Sequence, residues 1–141
     1  MTSTLNNKND PFYIKRDKSA VEYYDGVRTK KEQWIRNVAK HSNMRRKSVE
    51  KIFEHIFVEK HHLRDGFTRF TPDYDMAESF KRIEDGVDIQ LHDQILVKHE
   101  WLELSLMRRY NYDYDTAHRI AERKYNYKTA LTKWLKERGD W

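Results

Sequence analysis

The chain has no cysteine among its 141 residues. That excludes disulfides, thiolate-bound zinc and cysteine nucleophiles, and it leaves the redox compartment open. Glycine and proline are scarce, at four and two. So few glycines leave little room for a phosphate-cradling loop, and neither that loop nor a G-x-S-x-G nucleophile elbow is present. No apolar run approaches the ~18 residues of a membrane span. The opening stretch, MTSTLNNKNDPFYIKRD, lacks the apolar segment of a signal peptide. No membrane partner is expected.

Charge and aromatic rings are abundant instead. Charged residues make up 36% of the chain, against about 25% in ordinary globular domains. Mean hydropathy is −1.07, a value that suggests disorder. Four Trp, nine Tyr and six Phe argue against it, because disordered chains lack such residues. The expectation is one small domain with an aromatic-rich core under a charged surface.

The net charge of +5 is unevenly spread. Residues 8–64 carry 15 Lys and Arg against 8 Asp and Glu, residues 65–107 carry 4 against 10, and residues 108–141 carry 9 against 5. Two basic arms flank an acidic centre. Such arms suit the phosphates of a nucleic acid, and Arg45, Arg46, Lys47, Arg108, Arg109, Arg123 and Lys124 are the candidate contacts. The acidic centre could hold a divalent metal, or simply neutralise the arms.

Residues 1–12 read as a flexible polar tail ending at Asp10-Pro11, and 13–141 as a single domain. Residues 13–28 are weakly patterned. Helical spacing then recurs through Trp34, Ile35, Val38 and Ala39, and again through Val49, Ile52, Phe53, Ile56 and Phe57 in a helix from about Arg45 to Lys60. Asp65-Gly66 signals a turn, so 61–70 reads as a loop or small hairpin. Thr71-Pro72 reads as a helix start, and Gly86 as that helix's end. Further helices are expected over about 89–109, from Asp113 or Asp115 to Lys124, and over 128–137. The fold class is all-α, a compact bundle of five or six helices with one irregular segment.

The helix from Leu91 to Met107 carries the most chemistry. At 100° per residue, His92, His99 and Glu103 fall within about 20° of one line, among Ile95, Leu96, Leu106 and Met107. Buried polar groups need partners. They could ligate a metal, with His92, Asp93, His99 and Glu103 as the donor set. They could form a general acid–base set, with His99 poised by Glu103. They could also be satisfied core residues. His99-Glu100-x-x-Glu103 is not the H-E-x-x-H of zinc peptidases, because Glu103 stands where the second His belongs. His118 lies between Ala117 and Ala121 on the next helix and could face the stripe, or sit on the surface. Arg82 is a candidate phosphate clamp, or it pairs with Glu78 or Asp85 on its own helix.

A second pattern competes. WIRNVAKHSNMRRKSVEKIF resembles a helix-turn-helix, with Ala39, Asn43 and Val49 at its small, turn and apolar positions and Arg45, Arg46 and Lys47 opening the second helix.

RFTPDYDMAESFKRIEDG, IQLHDQILVKHEWLE and YDTAHRIAERKYNY lie in order within Val49–Tyr127. Together they resemble a module found at the C-terminal ends of bacterial polymorphic toxins and phage MuF-type head-associated proteins, here spanning roughly residues 29–138. The resemblance picks out Asp73, Asp75, Ser79, Arg82, His92, Asp93, His99, Glu100, Glu103, His118 and Tyr125. It implies an effector toxin domain, most often a nuclease, delivered into the cytoplasm of a competing cell and blocked by a cognate immunity protein. His99, Glu100, Glu103, His118 and Arg82 would then be catalytic. Alternatives are a non-catalytic DNA-binding or phage-structural module, and a hydrolase of a nucleotide or cofactor.

Overall fold

A computed structural model describes residues 10–139. It is a helical bundle with one small hairpin, as expected, with seven α-helices among the described residues. The additional helix is α1, Pro11–Thr29. Asp10 caps it by accepting from the Phe12 N–H at 2.8 Å, and Pro11 opens it. Residues 10–12 are therefore the start of a helix and not the end of a tail; the rest of the expected tail lies outside the described residues. α1 buries only Ala20, Tyr24 and Val27, which is why its periodicity is faint.

α2 (Lys31–Ser42) ends at Asn43, whose backbone is left-handed at φ 57°. Asparagine tolerates that conformation. α3 (Arg46–Phe53) is shorter than its apolar stripe suggested, because it widens into a π turn over Glu54–Val58. Such turns are frequent at functional sites. Here His55, Ile56 and Phe57 are buried in succession, whereas regular helical steps would spread three neighbours over about 200°. β1 (His61–Leu63) and β2 (Gly66–Thr68) then pair antiparallel, His61 opposite Thr68 and Leu63 opposite Gly66.

α4 (Tyr74–Asp85) starts two residues later than Thr71-Pro72 implied. Asp73 is the cap, accepting from the Met76 N–H at 2.9 Å. Gly86 ends the helix at φ 70°, and a Cβ there would meet the His41 ring at 2.6 Å. α5 (Leu91–Tyr110) opens with the Gln90 N–H on Asp93 Oδ2 and closes at left-handed Asn111. α6 (Tyr114–Lys124) is capped by Asp113 and α7 (Tyr127–Glu137) by Asn126.

The core forms around Trp34, packed edge-on against Phe53 and Phe57 and tilted against Phe80. Its indole N–H donates to the Tyr23 hydroxyl, which donates to Glu84. α5 packs on α6 and α7, and α2 on α3 and α4. Among the described residues, no helix is long and apolar enough to cross a membrane.

Candidate active site

α5 places His99, Glu100 and Glu103 on its inner face, all three buried. α6 approaches closely because Ala117 and Ala121 are fully buried, with no side chain to hold the helices apart. That approach carries His118 onto Glu103: its Nδ1 lies 2.7 Å from Oε2. His99 Nε2 reaches the same oxygen at 3.2 Å. The other carboxylate oxygen, Oε1, is 2.7 Å from Nε2 of His55, delivered from the opposite side by the π turn. Three imidazoles from three elements thus converge on one buried carboxylate.

An ionised carboxylate only accepts hydrogen bonds, so each ring nitrogen facing Glu103 carries a hydrogen. His118 donates from Nδ1, which leaves Nε2 as an acceptor, 3.8 Å from Glu122 at the half-buried edge. His99 faces the Tyr125 carbonyl through Nδ1 at 3.1 Å and Glu103 through Nε2.

Two carboxyls one helical turn apart have opposite environments. Burial pushes Glu100 well above the usual carboxylate range, and the neighbouring Glu103 and Asp73 reinforce it. Burial acts on Glu103 in the same direction, but hydrogen bonds from His118, His55 and His99 outweigh it and hold the carboxyl below its usual range. The bond to Glu103 raises His118 despite partial burial. Paired groups driven apart in this way mark an acid and its counterpart in many enzymes.

A cleft of about 320 Å³ opens onto this cluster. Its floor includes His99, Glu100, Glu103 and His118, and its walls include Asp73, Asp75, Phe70, Tyr114 and Lys128. Asp75 is raised by burial and by Asp73. A divalent cation would find suitable donors here. His99, Glu103 and His118 each offer a donor atom within 4.8 Å of the other two, and so do His55, Glu100 and Glu103. The His99 bond to the Tyr125 carbonyl is the kind of outer contact that orients a metal-bound imidazole.

His92, Asp93 and Arg82 do not join the cluster. Seven residues separate His92 from His99, about 10 Å along the helix axis, so one helical face carries two separate sites. Arg82 forks onto Asp93 with Nε and Nη2, both at 2.8 Å, and Nη2 also reaches His92 Nε2 at 3.1 Å. The guanidinium lies over the Trp134 ring, and His92 packs against the same ring. Arg82 therefore ties α4, α5 and α7 together. Its partner is Asp93, not Glu78 or Asp85, and it does not line the cleft. Asp93 is spent on Arg82 and on the Gln90 N–H, and burial lowers His92.

The other sequence-derived positions divide similarly. Ser79 bonds the Tyr127 hydroxyl. Tyr125 contributes its carbonyl rather than its ring. Arg45, Arg46, Lys47, Arg108, Arg109, Arg123 and Lys124 are all exposed. Two of them have acidic partners, Arg46 with Glu32 and Arg108 with Glu59.

His55 and His61 were not anticipated. His61 bonds the His55 carbonyl through Nε2 and stacks on Phe70 at 4.4 Å. With Glu59, they form a third group of donors within 4.8 Å. The only sequence signal was histidine itself, recurring at the end of an apolar stripe.

No protein-family model matches the chain, and no curated protein or solved structure matches it.

Proposed function

We propose that this domain is an effector toxin that hydrolyses phosphodiester bonds of nucleic acid by general acid–base catalysis in the Glu103 cleft. One observation carries the proposal: His118 is pinned through Nδ1 on a buried, ionised glutamate, while its Nε2 points away from that bond at the cleft's edge. This is the arrangement that fixes the tautomer of a catalytic base. Nε2 takes a proton from the attacking water, whose oxygen bonds to phosphorus as the P–O bond to the leaving oxygen breaks. Glu100, kept protonated by burial, returns a proton to the leaving oxygen. His99, donating to Glu103 through Nε2, lines the cleft beside the reacting phosphate. The exposed basic residues on α3, α5 and α6 hold the flanking backbone. The toxin context, and a cognate immunity protein as partner, rest on the sequence resemblance.

The test is incubation of purified protein with DNA, tRNA and rRNA, with and without EDTA, alongside induced expression in bacteria. Cleavage and growth arrest should both disappear in His118→Asn. Cleavage that stops in EDTA and returns with a divalent ion would reassign His99, Glu103 and His118 as metal ligands. Absence of cleavage, with growth arrest surviving the substitution, would refute the proposal.

A second reading has its own observation. α2 and α3 meet around left-handed Asn43, with Arg45, Arg46 and Lys47 exposed, which supports sequence-specific DNA binding without catalysis. Duplex binding that survives His118→Asn but is lost in an Arg45→Ala/Arg46→Ala variant would favour it.

A further inference from the structure

The mouth of the cleft is aromatic. Phe70 and Tyr114 both line it, with ring centroids 5.2 Å apart, and neither is fully buried. Tyr114 stacks on the His118 ring at 5.3 Å and an interplanar angle of 26°. An aromatic surface therefore adjoins the proposed base. Tyr110 stands four residues before Tyr114, at the end of α5, and Tyr112 two residues before it, at the turn from α5 into α6. They are 63% and 41% exposed, with ring centroids 5.9 Å apart. Tyr112 is thus within about 7 Å of backbone from Tyr114, and Tyr110 within about 14 Å, so the second pair adjoins the first along the chain. Arg108 and Arg109 precede it, exposed on the last turn of α5.

Exposed rings cost free energy in water and here bury no core. Rings beside arginines suit one ligand chemistry: flat bases joined by phosphates. A base can stack on a ring only when it is unpaired and splayed out. The cleft offers about 320 Å³, a concavity that a projecting nucleotide can enter and the side of a duplex cannot.

We infer that this rim binds single-stranded nucleic acid, with one unpaired base against Phe70 and Tyr114 in the cleft mouth and a neighbouring base against Tyr110 and Tyr112. The inference deepens the proposed nuclease function and rests on it for the polarity of the site. Its test reads binding alone, so the two can fail separately.

The full chain carrying His118→Asn, to prevent turnover, is titrated against a fluorescent 12-nucleotide single strand and against the same sequence as a duplex, followed by anisotropy. The single strand should bind more tightly. Loss of a stacked base costs roughly 1–3 kcal/mol, so Tyr110→Ala/Tyr112→Ala should weaken single-strand binding by roughly 5- to 150-fold. Tyr110→Phe/Tyr112→Phe should retain it. Both positions are exposed, so circular dichroism should not change. Equal or tighter duplex binding, undiminished affinity in the double-alanine variant, or no binding of either ligand would overturn the inference. Binding as stated, without cleavage by the wild-type chain, would uphold the stacking rim and remove the nuclease.

Discussion

His118 Nδ1 lies 2.7 Å from Glu103 Oε2, joining two antiparallel helices at the point where the cleft reaches the core. The bond decides which nitrogen of His118 is available for chemistry. His118→Asn should therefore lower single-turnover cleavage by about 10²- to 10⁴-fold, the range for loss of a general base. Its side chain is 37% exposed, so the thermal midpoint should change little. A matching loss of stability would show a structural role instead.

Glu103 has the opposite profile. Its side chain is 2% exposed and holds three imidazoles. Glu103→Ala leaves those donors unpaired in the core, and removing one partner of a buried charged set costs about 3–5 kcal/mol. Urea denaturation should show that loss. A variant as stable as wild type would contradict the hydrogen-bond assignment.

Two directions set the pH dependence. Burial raises Glu100 well above the ordinary 4.5, and its acid role ends as pH rises past that raised value. The Glu103 bond raises His118 above the ordinary 6.5, so its base role begins only above that. Cleavage should follow a bell whose two limbs belong to the proposed acid and base. Glu100→Gln should remove one limb of that bell. For stability, Glu103 is lowered, so its contribution is present above its unfolded value and fades as pH falls. His118 is raised, so its contribution is present below its unfolded value and fades as pH rises through the folded one. A pH–rate profile that keeps both limbs in Glu100→Gln would contradict the assignment.

Helix spacing made part of this legible. The 100° rule put His99 and Glu103 on one face, and the short connection to the next helix pointed to His118 as their neighbour. The same rule put His92 in line with them, because a helical wheel records angle and discards the rise along the axis. Arg82 suggests a phosphate clamp by its chemistry alone; its place follows from tertiary packing on Asp93 and Trp134. His55 depends on a π turn that no periodicity announces. α1 was obscured by having just three buried positions in 19 residues.

Arg82 gives a prediction that separates the two ends of α5. Asp93 is fully buried and Arg82 is its counter-charge. Arg82→Ala should cost about 3 kcal/mol and lower Tm on the order of 10 °C. Cleavage per folded molecule, measured well below that midpoint, should persist. A stable but inactive variant would return Arg82 to the catalytic set.

The most direct measurement is cleavage of an end-labelled single-stranded RNA and its DNA counterpart by wild-type protein, Glu100→Gln and His118→Asn side by side, each first matched by circular dichroism. Scission by the wild type, with losses of at least about 100-fold in both variants, is the predicted result. No scission of either polymer, or equal scission by all three proteins, would contradict a phosphodiesterase centred on Glu100, Glu103 and His118.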